Sequence, residues 1–253
     1  MRRPFLLLQA RNHDDPMLSH EVDCFADAMG LELKDLLVVN AVDRLPTRAE
    51  LRGACAVLMG GSGDYSVLDS DPWIKQLVTW VRDELVLPGK ATFASCFGFQ
   101  ILVLAVGGSM MRDYTNTEMG TYDLALAPAG RDDPLFSHLP DLFRAQVGHH
   151  DRAVALPQGV RHLASTPDCP VHAFRVGHLP IWATQFHPEL GISALRKRYL
   201  HYRERYAPES ADTPEDEDPF LQGLRPSDEA TLSLALFARW VATHEVELES
   251  LNL

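Results

Sequence analysis

The sequence predicts an α/β protein: an open, mostly parallel sheet with helices on both faces, added antiparallel strands and a helical C-terminal extension. Three observations carry this. Short, nearly apolar runs alternate with helix-period segments through the first half of the 253 residues. Strands buried on both faces and joined by helices read this way in parallel sheets. Between residues 109 and 186, strand-like runs follow one another with turn residues and no convincing helix, as antiparallel strands do. After Gly191 the chain becomes helical and strongly charged.

Residues 5–9 form the first predicted strand. The chain starts with Arg2 and Arg3, as a signal peptide does. Its apolar run stops at Leu8 and Arg11, Asp14 and Asp15 follow, so a buried strand is the better reading. Residues 16–30 read as a helix, with Leu18, Val22, Phe25 and Met29 on one face and Gly30 at its end. Residues 36–41 and 54–59 read as strands. Residues 72–86 read as a helix with Pro72 in its first turn and Trp73, Leu77, Trp80, Val81 and Leu85 on its apolar side. A strand at 91–95 and an apolar helix at 98–106 follow. Further strands are expected at 122–127, 142–147, 161–165, 171–176 and 180–185. Residues 207–219 carry six acidic residues and three prolines and read as a solvated linker. Ser227 can cap a last helix with the stripe Ala230, Leu234, Phe237 and Val241.

Composition narrows the function classes. The 23 Lys+Arg against 35 Asp+Glu give a net charge of −12, which argues against nucleic acid or an anionic membrane surface as partner. No window approaches the ~18–20 apolar residues of a membrane span. A soluble cytoplasmic protein is the expectation. The four cysteines (Cys24, Cys55, Cys96 and Cys169) form no C-x-x-C, so a disulfide framework is not expected. Cys24 and Cys55 read as core and Cys169 as a loop thiol. Trp73, Trp80, Phe237 and Trp240 read as packing residues, and the charged segment 196–205 as a solvated helix face.

Three segments carry chemical signals. Cys96 stands where a strand ends and a helix begins, followed by Phe97-Gly98-Phe99-Gln100, the setting of a nucleophile elbow. The helix N-terminus and a neighbouring imidazole would favour its thiolate, and the Phe97 N–H would face an oxyanion. Alternatively, Cys96 is one more small buried hydrophobe. In Gln185-Phe186-His187-Pro188-Glu189, extended chain puts the carboxylate of Glu189 beside the ring of His187, leaving the other ring nitrogen for a thiol proton. A surface His-Pro-Glu turn is the bland alternative. Met59-Gly60-Gly61-Ser62-Gly63-Asp64 follows a strand and can offer backbone N–H groups to an anion, or simply turn tightly. It lacks the Lys-Ser/Thr ending of a phosphate-binding loop.

Taken together, these segments resemble the class I, triad-type glutamine amidotransferases, in their GMP-synthase-like free-standing branch. Cys96-Phe97-Gly98-Phe99-Gln100 is similar to the family's C-x-G-x-Q elbow, His187-Pro188-Glu189 to its H-P-E ending and Gly60-Gly61-Ser62-Gly63 to its glycine-rich oxyanion strand. Val147-Gly148-His149-His150-Asp151 resembles an S-H-x-D stretch, and Glu118-Met119-Gly120 a short E-x-G element. The resemblance implies a flavodoxin-like fold. It makes Cys96 the nucleophile, His187 the general base and acid, and Glu189 the residue orienting His187. Gly61 and Phe97 would line the oxyanion hole, while Gly63, Gln100, Gly148, His149 and His150 would hold the substrate. No cofactor is implied. The chain departs from the family at Ser62, where proline is usual, and at Gly148, where serine is usual. His149-His150-Asp151 could instead be metal ligands, but no second cluster with zinc-site spacing accompanies them, and no metal is expected.

The implied domain comprises residues 1–195, with 196–253 a helical extension packed on it. No S-G-G-x-D-S nucleotide loop and no P-loop occurs, and the residues after Glu189 are too few for an ATP-dependent synthetase. The expected function is therefore hydrolysis of the glutamine side-chain amide through a cysteinyl thioester, with ammonia passed to a separate synthetase. A stand-alone γ-glutamyl peptidase is the alternative, and a non-catalytic or redox-sensing scaffold the third reading.

Overall fold

Strand β1 (Phe5–Gln9) pairs in parallel with β2 (Leu36–Asn40) on one side and β3 (Ala56–Met59) on the other. The structure, a computed structural model, describes residues 3–210 and 212–250. Position 211 of the acidic linker, the first two residues and the last three lie outside the described residues. Successive strand residues face opposite sides. Phe5 and Leu7 therefore enter one apolar cluster, Leu6 and Leu8 another. Both faces need covering, and helices cover them.

On the first face lie α1 (Met17–Met29) and α7 (Asp228–Ser250), through Phe25, Ala26, Leu234 and Phe237. Gly30 closes α1 with φ 65°, a left-handed position that glycine adopts without strain. On the second face lie α3 (Pro72–Val81) and α4 (Phe97–Ala105), through Ile74, Leu77, Phe99 and Leu102. The helix predicted over 72–86 changes after Val81 to a wider turn over Arg82–Val86. A short helix, α2 (Arg48–Gly53), has too few residues to show a period. It is set instead by the reciprocal cap of Thr47 and Glu50.

The sheet order is β2-β1-β3-β4-β11-β10-β9-β6-β7. The first five strands, including β4 (Thr92–Ser95) and β11 (Ile181–Thr184), are parallel. The 2-1-3-4 start is the flavodoxin-like order. Antiparallel strands β10 (Ala173–Val176), β9 (Val160–Ser165), β6 (Glu118–Leu126) and β7 (Leu142–His149) extend it. A separate ribbon pairs β5 (Ser109–Arg112) with β8 (Asp151–Ala155). Neither strand is among those the sequence predicts: β5 has four residues and is largely exposed, and β8 carries Asp151 and Arg152 at its start and is exposed at its end.

The C-terminal part is helical, with α5 (Ile192–Tyr206), α6 (Pro219–Gln222) and α7. The stripe Ala230, Leu234, Phe237 and Val241 is the buried face of α7, and the Phe237 ring lies 5.5 Å from Phe93 and 5.9 Å from Trp182. The Ser227 hydroxyl accepts a hydrogen bond from Gln146 Nε2 at 3.0 Å, which ties the start of α7 to β7. Among the described residues no helix is long and apolar enough to cross a membrane.

Candidate active site

Cys96 stands between β4 and α4 with φ 50° and ψ −104°, the only non-glycine residue of positive φ among the described residues. Such strain persists where the surroundings over-determine it. Three contacts do so here. The Cys96 N–H donates to the Thr184 carbonyl at 2.8 Å, fixing the turn to β11. The Gly98 N–H donates to the Gly60 carbonyl at 3.1 Å, fixing it to the glycine loop. A Cβ on Gly98 would lie 2.6 Å from Met59 Cβ and 2.9 Å from its carbonyl oxygen, so only glycine allows this approach. The Phe97 N–H has no partner among the described residues and is open at the helix start.

His187 follows β11, and its N–H donates to the Gln146 carbonyl at 2.8 Å. Its Nδ1 donates to Glu189 Oε1 at 2.7 Å. Both side chains are buried. Burial alone would lower the imidazole's pKa, but the Glu189 carboxylate and then Cys96, hydrogen-bonded to the ring, raise it well above the ordinary range. Burial would raise the pKa of Glu189, yet the charge and hydrogen bond of His187, then Arg198, bring it below the usual carboxylate range. Cys96 and His187 face the same spot. A Cβ on Gly61 would sit 2.9 Å from His187 Cε1 and 3.6 Å from Cys96 Cβ.

A chain of buried charges runs behind this pair. Arg198 of α5 donates to Glu189 Oε1 at 3.2 Å and lies 3.8 Å from Glu21 Oε1. Glu21 of α1 also accepts from Arg11 at 2.8 Å, from Gln9 at 3.0 Å and from the Gly61 N–H at 3.2 Å. This corrects the expected role of Gly61. Its N–H is engaged by an internal carboxylate and is not free to face an oxyanion. Ser62 is next in the chain, and its N–H has no partner among the described residues.

The cavity over Cys96 has a volume of about 230 Å³ and is also lined by Phe97, Gln100, Gly148, His150 and Arg112. The Cys96 thiol donates to the Gly148 carbonyl at 3.9 Å. Gln100 Nε2 donates to the Asp151 carbonyl and to Gln185, both at 3.4 Å. His150 reaches the cavity, with Nδ1 2.7 Å from Thr117 Oγ1. The side chain of His149 turns into the core toward Glu118, so only its backbone is placed like that of Gly148. Gly63 lines a second space of about 60 Å³, which His187 borders and Cys96 does not. His149, His150 and Asp151 do not converge as metal ligands, since Asp151 is held by Ser66 and Arg112.

Sequence reasoning placed a helix after Gly191 but missed that it walls the site. Segment 196–205 is not simply a solvated face: Arg198 and Tyr199 are buried, and Tyr202 and Tyr206 line the smaller cavity. A Cβ on Gly63 would fall 2.1 Å from Tyr202, and Tyr206 stacks on His150 with centroids 5.4 Å apart. Leu195, Tyr199, Tyr202 and Tyr206 at helical spacing were the available signal.

A cysteine on a strained strand–helix turn and a His–Glu pair on the neighbouring strand end meet at the C-terminal edge of a flavodoxin-like α/β sheet, the edge where proteins of this fold class bind their ligands. The family model of class-I glutamine amidotransferases matches residues 41–203, and the chain belongs to that family. It is 33% identical over 159 residues to the glutamine-hydrolysing GMP synthase of Porphyromonas gingivalis, covering 63% of this chain and 29% of that protein. It is 34% identical over 95 residues to one subunit of the glutamine-hydrolysing GMP synthase of Methanocaldococcus jannaschii, covering 38% of this chain and 48% of that one. The chain thus spans less than half the length of these curated relatives. A crystal structure of a glutamine amidotransferase from Thermotoga maritima superposes with a TM-score of 0.71 at 19% identity, over 95% of this chain and 99% of that one. The structure of a GMP synthase subunit from Thermoplasma acidophilum gives 0.66 at 18% identity, over 99% of each chain. At such identities the likeness is one of fold.

Arg198→Met should destabilise the protein by about 3–5 kcal/mol in denaturant unfolding, because it removes the buried guanidinium that Glu189 and Glu21 share. Arg198→Lys, which keeps the charge without the planar fork, should recover part of that loss.

Proposed function

We propose that the chain hydrolyses the side-chain amide of glutamine through a thioester on Cys96 and hands the ammonia to a separate synthetase. The strained Cys96, with the His187–Glu189 pair beside it, is the observation that carries this reading. Cys96, as thiolate, attacks the amide carbon, and His187 protonates the departing ammonia. His187 then takes a proton from water as the water attacks the thioester and releases glutamate. Glu189 orients the ring and stabilises the imidazolium, as the acidic member of such triads does. The Phe97 N–H is one oxyanion donor. Since Glu21 engages the Gly61 N–H, we assign the second to Ser62, which lines the cavity with Cys96. Proline, usual at this position in the family, has no N–H, so this donor depends on the chain's departure at Ser62. Gln100, His150 and the backbone of Gly148 and His149 hold the amino-acid end of the substrate. The Methanocaldococcus relative is named as one subunit of its synthase, which supports ammonia transfer between chains. Four free cysteines, all buried, fit a reducing, cytoplasmic setting.

A second reading, a stand-alone γ-glutamyl hydrolase, is favoured by one observation. The chain's own helix α5 closes the rim: Arg205 donates to Asp64 at 2.8 Å and the Tyr206 hydroxyl to the Gly63 carbonyl at 3.1 Å. Turnover of glutamine against γ-glutamyl dipeptides by the purified chain separates the two. Weak glutaminase alone supports the first, and strong dipeptide hydrolysis the second.

Cys96→Ala should abolish turnover and labelling by a glutamine-like chloroketone while leaving the far-ultraviolet circular dichroism unchanged; retained turnover would remove Cys96 as nucleophile. Ser62→Pro deletes one N–H and should lower kcat by about 10²–10³, whereas Ser62→Ala keeps that N–H and most of the rate. Because Glu189 raises the imidazole pKa, His187 keeps its proton above the ordinary range, and the rate should fall only on the alkaline side of it. Glu189→Gln removes the anion, so the alkaline limb of the kcat–pH profile should move down toward about 6.5.

A further inference from the structure

A buried cluster next to the site takes no part in this chemistry. Glu118 begins β6 and His149 ends β7, opposite each other in the antiparallel register. Cys169 lies in the turn after β9, and His172 immediately before β10. The four come from three separate stretches of chain, Cys169 and His172 sharing the turn between β9 and β10, and all are buried. One ligand atom from each lies within 4.8 Å of the others.

Glu118 Oε2 accepts from His172 Nε2 at 2.6 Å and from His149 Nε2 at 3.1 Å, while Oε1 accepts from Thr166 at 2.5 Å. A carboxylate accepting three hydrogen bonds is the ionised form. No Lys or Arg nitrogen reaches it within ion-pair distance among the described residues. Its neighbours are two imidazoles and a thiol, and the Nδ1 atoms of both histidines are buried without a partner. A buried carboxylate with no fixed cation leaves a charge that a metal ion can balance.

We propose that Glu118, His149, Cys169 and His172 form a structural site for a divalent transition-metal ion of the zinc type. Two imidazoles, a thiolate and a carboxylate are zinc donors, and the sulfur and nitrogen ligands disfavour magnesium and calcium. Metal–ligand distances of about 2.0–2.3 Å require the Glu118–His172 contact to open by less than about 1 Å. On binding, the Cys169 thiol releases its proton and each imidazole carries its proton on Nδ1. The ion's two positive charges then match one thiolate and one carboxylate, leaving the site neutral. The backbone of His149 lines the cavity over Cys96, and its side chain passes from there into the cluster. The bound ion would brace the Gly148–His149 backbone under that cavity. The site does not depend on the reaction assigned to Cys96.

The test is metal analysis of the full untagged chain after purification without chelator, followed by cobalt titration of the stripped protein. We expect one equivalent per chain, a thiolate-to-cobalt band in the near ultraviolet, and a melting temperature that zinc raises and a chelator lowers. The band should vanish in Cys169→Ser and persist in Cys96→Ser, and His172→Gln should lose the equivalent. Absence of stoichiometric binding by the wild-type chain, with melting indifferent to zinc and chelator, overturns the site without using any variant. A cobalt spectrum unchanged in Cys169→Ser, or lost in Cys96→Ser, overturns it as well.

Discussion

The parallel register between β4 and β11 is the constraint on which the site depends. Ser95 stands opposite Thr184, and the next N–H, that of Cys96, donates to the Thr184 carbonyl. Both strands therefore end level, and the residues just beyond them emerge at the same edge of the sheet. Cys96 emerges there on a turn whose positive φ aims the thiol outward, and His187 emerges three residues past Thr184. In open parallel sheets this C-terminal edge is where ligands bind. The glycine loop after β3 meets the same edge, because β3 is the neighbour of β4 on the other side.

A second layer of order comes from buried charge. Glu189, Arg198, Glu21 and Arg11 alternate in sign through the interior and link the end of β11, α5, α1 and the loop after β1. Each carboxylate meets a guanidinium, so the charges along that path are paired, although Arg11 Nε, Glu189 Oε2 and two Arg198 nitrogens are buried without a hydrogen-bond partner. The same chain reaches the glycine loop through the Gly61 N–H. The orienting carboxylate behind His187 and the backbone above Cys96 are thus held by one connected network.

The C-terminal helices belong to both core and site. α7 supplies the ring of Phe237 to the sheet face opposite α4, and α5 supplies Arg198 to Glu189 and the tyrosines to the cavity wall. Removing them would strip that face of the part of its cover that α1 does not supply, and Glu189 of its guanidinium partner.

The order of strands and helices, the strand–turn–helix around Cys96 and the proximity of His187 to Glu189 are all legible along the chain. Those features are local. Apolar runs mark buried strands, Gly98 marks a turn with no room for a side chain, and a spacing of two residues in extended chain brings Glu189 to His187. The features not legible there have long-range causes. α2 is too short to show a period, and β5 too short and too exposed to read as a strand. Nothing near Glu21 announces that its carboxylate will meet Gly61, 40 residues away. His172 and Cys169 meet Glu118 only because β6 and β9 pair and β10 follows on the far side of β9. Which charges share the interior was settled by folding alone, since a buried ion's partners are whatever the folded chain brings within a few ångströms. Periodicity along the sequence carries no record of that.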